Sequence, residues 1–264
     1  MASLAAMTPG VTHITSHDNS LLKELRKLSL EPTAYRKLGR IWLEGDHLCR
    51  AALQRGLVPA IGVFAESQWP TALPALSRAA TKTIIIPDKL FANISGLESP
   101  ASMGFVMDLP PTPAIQMQMQ TLVLDRVQDA GNVGSMLRSA AAFGVRQVLA
   151  LKGTAALWSP KVLRAGMGAH FALHLHEGLA LSDLDLLDVP LLATSSHVGQ
   201  YIHQQALPWP CAWVMGHEGQ GVSEALMRRA ALTVRIGQPG GEESLNVAAA
   251  AAICLHASAV RSFE

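Results

Sequence analysis

Asp129-Ala-Gly-Asn132-Val-Gly-Ser-Met-Leu-Arg138 is the stretch that decides the fold, and it follows an apolar, strand-like run at residues 121–124. Gly131 and Gly134 let the backbone turn tightly, and Asn132 can cap a helix that starts here. With Asn132 at the helix entry and Arg138 in its second turn, both side chains can face a cleft at the carboxyl end of the strand. Open α/β sheets bind ligands there. An ordinary capped helix with a surface arginine fits the same pattern, so further segments are needed to choose.

Two later segments repeat the arrangement of an apolar strand that runs into a polar, glycine-rich loop. Residues 212–215 lead into Gly216-His-Glu218-Gly-Gln-Gly221. Residues 232–236 lead into a loop that ends at Ser244-Leu245-Asn246, before an alanine-rich helix. Three strand ends of this kind predict an α/β fold with a site formed by its loops.

In this order and spacing, the three segments resemble the motifs of the SpoU family of S-adenosylmethionine-dependent RNA ribose 2'-O-methyltransferases, part of the SPOUT class. The resemblance runs from about Thr121 to the end of the chain. It implies an α/β protein with a C-terminal SPOUT trefoil-knot methyltransferase domain and a smaller N-terminal α/β domain similar to a ribosomal protein. Two loop positions depart from the family: Ala130 replaces a frequent proline, and Gly237-Gln238 replaces a common proline-methionine pair.

The resemblance also implies which residues carry the reaction. The catalytic set is Arg138, Asn132, Glu218, Ser244 and Asn246. The S-adenosylmethionine contacts, expected mostly from the backbone, are at Thr194, Gly216, Ile236 and Leu245. Arg138 is implied as the group that activates the acceptor hydroxyl. An arginine acting as a base conflicts with a pKa above ~12, whereas electrostatic stabilisation of the alkoxide does not, and the sequence leaves both open.

A basic run lies near the N-terminus. Between residues 23 and 40 six cations stand against two acids, a local balance of +4, although the whole chain carries only +1. The cations are Lys23, Arg26, Lys27, Arg36, Lys37 and Arg40. Such a run fits either a solvated helix face or a surface that contacts phosphates. Residues 19–45 resemble the SpoU substrate-binding domain, with Tyr35-Arg-Lys and Leu43-Glu-Gly as matching points, which implies RNA binding.

The chain is expected to form two domains. A proline-rich and then polar stretch at 109–119 predicts a linker. Before it, residues 1–108 form the expected N-terminal RNA substrate-binding domain, with residues 1–15 flexible, and residues 120–264 form the SpoU catalytic domain. Within the first domain, strands are predicted at 40–45, 60–65, 83–86 and 104–107, and a helix at 46–55.

Composition predicts a globular cytoplasmic protein. Hydrophobic residues make up 49% of the chain and charged residues 16%, and the three cysteines are scattered without a CxxC pair. No signal peptide, transit peptide or membrane span is expected. His170, His174 and His176 would share one face of a strand, but they lack acidic or cysteine partners, so no metal site is expected. His217 is interpreted as a loop residue.

The resulting prediction is an RNA 2'-O-ribose methyltransferase that acts on ribosomal RNA, with transfer RNA, or a catalytically silent RNA-binding module of the same fold, as alternatives. A nicotinamide-dependent Rossmann enzyme is disfavoured because no GxGxxG follows the first strand of either domain. The C-terminal helix is apolar almost all round and must be covered on more than one side, which predicts a homodimer. The methylated nucleotide cannot be read from the sequence.

Overall fold

The computed structural model describes residues 10–240 and 244–260, and it divides the chain into two compact units. The first unit runs to Pro110 and includes Trp158–Pro160, and the second comprises Pro111–Leu157 and the residues from Lys161 on. Apart from Trp158–Pro160, the division falls between residues 110 and 111, within the stretch 109–119 that the sequence predicts as a linker.

The first unit is built on a five-stranded sheet with the order β1-β4-β3-β5-β2. Its strands are β1 (Val11–His13), β2 (Arg40–Glu44), β3 (Ile61–Ala65), β4 (Lys82–Ile86) and β5 (Met103–Asp108). Strands β1, β4 and β3 pair in parallel, whereas β5 pairs antiparallel with both β3 and β2. The four predicted strands are present within a residue or two of their expected bounds. Residues 11–13, which lie in the stretch expected to be flexible, form β1 and pair with β4; residues 1–9 lie outside the described range.

Five α-helices accompany this sheet in the described part of the unit. They are α1 (Ser20–Leu30), α2 (Ala34–Leu38), α3 (Asp46–Gln54), α4 (Pro74–Ser77) and α5 (Asp88–Ile94). Helix α1 begins where the Asn19 side chain accepts a hydrogen bond from the Leu21 backbone N–H at 2.9 Å. Its leucines at 22, 25 and 28 are buried, so the lysines and arginine of the same helix are turned to solvent.

The second unit is built on a seven-stranded sheet with the order β10-β12-β9-β11-β6-β7-β8. Its strands are β6 (Thr121–Asp125), β7 (Gln147–Leu151), β8 (His174–Leu179), β9 (Leu191–Thr194), β10 (Gln200–Tyr201), β11 (Ala212–Gly216) and β12 (Leu232–Arg235). Every adjacent pair is parallel. Strands β6 and β11 are buried along their whole length, which explains why both read as continuous apolar runs.

Four α-helices accompany the second sheet in the described part of the unit. They are α6 (Ala130–Ala142), α7 (Pro160–Gly166), α8 (Glu224–Arg229) and α9 (Val247–Val260). The predicted C-terminal helix is therefore present. Helix α9 packs on α6 and β11, and its Ser258 hydroxyl accepts a hydrogen bond at 2.8 Å from the indole N–H of Trp213, a fully buried residue of β11. One polar side chain of the helix is thus satisfied inside the core.

None of the helices in the described ranges is long and apolar enough to cross a membrane.

Candidate active site

The carboxyl edge of the seven-stranded sheet carries the predicted site residues. Since all seven strands are parallel, their carboxyl ends lie at one edge. Asp125 at the end of β6 stands opposite Gly216 at the end of β11. The loops that begin there carry Asn132 and Glu218, so neighbouring strands bring these two side chains together.

The start of α6 differs from the prediction. The side chain that caps the helix is that of Asp129, whose Oδ1 accepts a hydrogen bond from the Asn132 backbone N–H at 2.7 Å. The expectation that Asn132 is the cap is wrong, because the helix already begins at Ala130 and Asn132 is its third residue. The Asn132 amide is consequently available for contacts outside its own helix.

Asn132 joins Glu218 and Asn246 in a continuous chain of hydrogen bonds. Its Nδ2 donates to Glu218 Oε1 at 3.2 Å, and its Oδ1 accepts from Asn246 Nδ2 at 2.9 Å. Asn246 is itself fixed, since its Oδ1 accepts the backbone N–H groups of Ala248 and Ala249 at the start of α9. Three segments that are far apart in the sequence therefore meet through three side chains.

Glu218 also binds the backbone that leads into α6. Its Oε1 accepts the N–H of Asp129 at 2.9 Å, and its Oε2 accepts the N–H of Gln128 at 3.1 Å. Burial opposes the charged form, but these N–H donors and the Asn132 amide outweigh it and hold the pKa of Glu218 below its ordinary value. Glu218 is therefore a carboxylate near neutral pH, and its charge lies close to the N-terminus of α6, where the helix dipole favours an anion.

The loop that presents Glu218 is tightly closed. A Cβ on Gly216 would lie 2.1 Å from the backbone of Gly221, so no side chain fits at this position. His217 and Gly221 exchange two backbone hydrogen bonds, and His217 Nδ1 accepts the N–H groups of Gly219 at 3.0 Å and Gln220 at 3.3 Å. His217 thus stabilises its own loop, in agreement with its interpretation as a loop residue.

Two further residues hold this loop, and sequence reasoning missed both. Asp125 is buried, its Oδ2 accepts the Ser223 N–H at 2.6 Å, and its Oδ1 accepts from Arg126 Nε at 3.0 Å. Arg126 then reaches across with Nη1 to Gln220 Oε1 at 3.0 Å. An acid that ends an otherwise apolar strand was the available signal for Asp125. Nothing in the sequence indicated the left-handed φ of +62° at Arg126.

Arg138 lies on the same helix as Asn132 but on the stripe that faces solvent, together with Gly131, Ser135 and Ala142. Within residues 10–240 and 244–260, its guanidinium forms no hydrogen bond or ion pair. The opposite side of α6 is closely packed: a Cβ on Gly134 would lie 2.4 Å from that of Ala165. The helix is thus held firmly while its arginine remains open to a ligand.

The residues expected to bind the cofactor lie at neighbouring strand ends. Thr194 ends β9, Gly216 ends β11 and Ile236 follows β12, and these three strands are adjacent in the sheet. Ser244 and Leu245 directly precede Asn246, and both are exposed. Gln238 follows Ile236 by two residues, and its Oε1 is buried without a hydrogen-bond partner in the described ranges. An orphaned acceptor of this kind suits a ligand that carries N–H groups.

The histidines do not form a metal site among the residues that the structure describes. His174 and His176 share a face of β8, but the expectation that His170 lies on the same strand is wrong, because it belongs to a 3₁₀ turn at Ala169–Ala172. Burial lowers the pKa of His170 to about 4, although its Nε2 is 2.8 Å from the Leu157 carbonyl oxygen. His170 is therefore neutral at physiological pH.

The predicted RNA-binding residues lie on α1, on α2 and at the start of β2 in the first unit. All are exposed except the half-buried Arg40. Lys23 pairs with Asp18 at 3.1 Å and Arg40 with Glu24 at 3.3 Å. Arg26, Lys27 and Lys37 have no ion pair among the described residues. We call these last three the basic patch.

Comparison with known proteins identifies the family. The sequence model of the SpoU rRNA Methylase family matches residues 119–256. The 23S rRNA (guanosine(2553)-2'-O)-methyltransferase RlmP of Bacillus subtilis is 30% identical over 247 residues, which are 92% of this chain and 97% of that protein. Among solved structures, the AdoMet-bound rRNA methyltransferase of Sinorhizobium meliloti has a TM-score of 0.82 at 25% identity and covers 96% of this chain and 99% of that one.

A third relative is a TrmH-family RNA methyltransferase, described as putative, from Porphyromonas gingivalis. It has a TM-score of 0.78 at 30% identity and covers 91% of this chain and 97% of that one. The predicted family and α/β fold are confirmed by these matches. The chain belongs to the SpoU rRNA methylase family.

Proposed function

We propose that this protein transfers a methyl group from S-adenosylmethionine to the 2'-hydroxyl of a ribose in ribosomal RNA. The observation that carries the proposal is the hydrogen-bonded chain from Glu218 through Asn132 to Asn246. Beside it, on the same helix as Asn132, Arg138 has no hydrogen-bond or ion-pair partner among the described residues. Such a chain fixes three loops without using a covalent nucleophile. Direct displacement needs positioning of this kind more than it needs new covalent chemistry.

In this proposal Arg138 binds the phosphate next to the acceptor ribose and stabilises the negative charge that develops on the 2' oxygen. A guanidinium keeps its proton at any physiological pH, so this role suits it better than that of a base. The proton then leaves to water or to the phosphate. Glu218, Asn132 and Asn246 hold the three loops in fixed positions relative to one another. Ser244 is two residues before Asn246, and in this proposal it contacts the same substrate.

The adjacent ends of β9, β11 and β12 are the proposed cofactor site, with contacts from Thr194, Gly216, Ile236 and Leu245. Backbone groups and apolar side chains dominate there, and the buried acceptor Gln238 Oε1 matches the amino groups of S-adenosylmethionine. When bound, the cofactor supplies an electrophilic methyl group. The residues around it need only orient the cofactor and exclude water.

Ribosomal RNA is the proposed substrate, with transfer RNA as the alternative. Two of the three named relatives, those from Bacillus subtilis and Sinorhizobium meliloti, are called rRNA methyltransferases, which supports the first. The basic patch of Arg26, Lys27 and Lys37 offers cations that no acid of the described chain neutralises, as expected of a surface that contacts phosphates. Recognition of the RNA by the first unit is therefore part of the proposal, as is a cytoplasmic location beside that RNA.

We also propose a homodimer formed through α9. The exposed stripe of this helix consists of Ala249, Ile253, His256 and Val260, and Ile253 and Val260 are 40% and 42% exposed. Solvent-exposed apolar side chains in a row on a terminal helix favour a protein partner. The trefoil knot of the resemblance is retained as a proposal. Helix α9, which follows β12 in the sequence, packs on α6.

The test is methyl transfer from tritiated S-adenosylmethionine to unmodified transcripts of ribosomal RNA, with transfer RNA transcripts in parallel. Ribose methylation blocks alkaline cleavage of the adjacent phosphodiester, so the label should appear in alkali-resistant dinucleotides from ribosomal RNA. Label in mononucleotides would refute ribose methylation. Label in transfer RNA alone would show that transfer RNA, and not ribosomal RNA, is the substrate. Cofactor binding without any transfer would favour the silent module.

A further inference from the structure

Three side chains at the β10 edge of the seven-stranded sheet form a stack. The rings of Tyr201 and His203 have centroids 5.5 Å apart and planes 23° apart. The guanidinium carbon of Arg235 lies 4.2 Å from the centroid of the Tyr201 ring. We call these three side chains the Tyr201 stack.

The position of the stack follows from the strand register. Tyr201 on β10 stands opposite Arg235 on β12, so the two side chains are neighbours on one face of the sheet. His203 follows in a 3₁₀ turn at Ile202–Gln204, where Ile202 is buried and His203 is exposed. The buried isoleucine anchors the turn, and the histidine beside it is left on the surface.

Arg235 has hydrogen-bonding capacity that the described chain does not use. Its guanidinium makes no hydrogen bond or ion pair in the described ranges, and its Nε is buried. A guanidinium has five N–H donors in a planar fork that matches phosphate oxygens and the acceptor edge of a base. Unpaired donors of this kind call for a partner.

Packing alone does not account for this arrangement. An arginine stacked on tyrosine can be a purely structural contact. A structural role of that kind, however, does not require that an exposed histidine also stack against the tyrosine ring. Nor does it require that the arginine keep N–H donors that no described residue accepts. The chain has only two tyrosines, and the other, Tyr35, is buried in the first unit. Tyr201 is half-buried and is therefore the more exposed of the two tyrosines, and His203 beside it is exposed.

The stack is next to the proposed cofactor site. Arg235 directly precedes Ile236, and Val234 before it pairs with Thr194 on β9. The Tyr201 stack therefore lies at the carboxyl edge where the substrate ribose must approach. Aromatic side chains and arginine planes are the usual stacking partners of unpaired RNA bases, because every base offers a π face.

We propose that Tyr201, His203 and Arg235 bind an unpaired nucleobase of the RNA by stacking, with Arg235 also contacting its phosphate. The base belongs to a nucleotide that flanks the one whose ribose is methylated. This inference rests on the proposed function and adds a specificity-determining surface to it.

The test uses a single-stranded 12-nucleotide RNA that carries one 2-aminopurine, whose fluorescence is quenched on stacking. Binding is followed by anisotropy and by quenching, and S-adenosylmethionine affinity is measured by calorimetry on the same samples. His203→Ala and Tyr201→Leu should weaken RNA binding about 5- to 50-fold and reduce the quenching. Tyr201→Phe keeps the ring and should stay within about twofold of the wild type.

Two further variants separate stacking from charge and from general surface change. Arg235→Lys keeps the charge but loses the planar fork, so the salt dependence should persist while quenching falls. Gln204→Ala, in the same exposed turn, is the matched control and should change nothing. Unaltered cofactor affinity in all variants shows that the sheet edge is intact.

The outcomes are distinguishable. A wild-type protein that binds cofactor and methylates RNA, with His203→Ala and Tyr201→Leu behaving like Gln204→Ala, overturns the stack proposal and leaves the proposed function standing. A wild-type protein that neither binds cofactor nor transfers methyl groups overturns both. If Tyr201→Leu loses cofactor binding through misfolding, the surface variant His203→Ala decides.

Discussion

The two sheets of the molecule differ in where they collect polar side chains. In the second unit every strand pair is parallel, so seven carboxyl ends meet at one edge. The segments that follow β6, β11 and β12 are joined there through Asn132, Glu218 and Asn246. In the first unit β5 runs antiparallel to β2 and β3, and the cations of the basic patch lie on the exposed faces of α1 and α2 instead. Parallel topology is suited to building a site from distant segments, whereas a charged surface needs only a solvated helix face.

The largest expected effect concerns Arg138, the exposed arginine of α6 in the unit with the parallel sheet. Arg138→Ala should slow single-turnover methyl transfer at least ~100-fold, the order expected for one preorganised transition-state contact. S-adenosylmethionine affinity should change little, because the proposed cofactor contacts come from the ends of β9, β11 and β12 and not from α6. Arg146→Ala, which removes an exposed arginine just after the same helix, is the control. Near-normal turnover would remove Arg138 from the mechanism.

The basic patch supplies the second test, since it should act on RNA binding alone. Changing Arg26, Lys27 and Lys37 together to glutamate should weaken RNA binding at least ~10-fold. It should also lower the slope of log affinity against log salt by about 2, because fewer counterions are released. Cofactor affinity should stay unchanged. Reversal of Arg78, Lys82 and Lys89, exposed cations of the same unit, is the matched control. Equal effects in both triple variants would mean that RNA binding depends on the net charge of the unit and not on the basic patch.

Much of the parallel sheet could be predicted from the sequence. Strands β6 and β11 are continuous apolar runs because both faces are covered, and the polar loops after them are conspicuous against that background. That Glu218 and Asn132 belong to one site was implied by the resemblance to the SpoU motifs and not by any local pattern. The cap of α6 did not, because Asp129 and Asn132 are both good capping residues and only the true first residue of the helix distinguishes them.

Other features depend on tertiary contacts that leave no local pattern. Arg126 adopts a left-handed φ that its residue type does not favour, and the ties to Asp125, Thr154 and Gln220 hold it there. No local pattern in the sequence indicates the Tyr201 stack either. Tyr201 and Arg235 are 34 residues apart and meet only through the pairing of β10 with β12. The apolar sequence of α9 likewise predicted that the helix must be packed on more than one side. It did not predict which face would remain exposed to solvent.

The exposed stripe of α9 offers a third test. Ile253→Glu should raise the dissociation constant of the proposed dimer at least ~10-fold, because a charge would be buried without a partner at the interface. Light scattering over a dilution series measures this, with Leu186→Glu as a control at an apolar residue that is 51% exposed elsewhere in the unit. A wild-type protein that is monomeric at all concentrations would contradict the dimer proposal.

The smallest expected effect is the pH dependence that Glu218 confers on the parallel sheet. Its folded pKa lies below the ordinary value of 4.5, so its charged form contributes stability that is present above that value. The contribution is lost as the pH falls through the folded pKa. Glu218→Gln should therefore melt below the wild type at pH 7, and the gap should shrink as the pH falls below the ordinary value of 4.5.

The gap at pH 7 should not exceed about 3 °C, because Glu218 is exposed and solvent screens its interactions. Glu224→Gln removes an acid in a surface pair with Arg228 and should give a smaller gap. Thermal melts between pH 3 and pH 7 on all three proteins make the comparison. A gap that widens on acidification would mean that the N–H groups of Gln128 and Asp129 do not hold the carboxylate, and the account of this loop would be wrong.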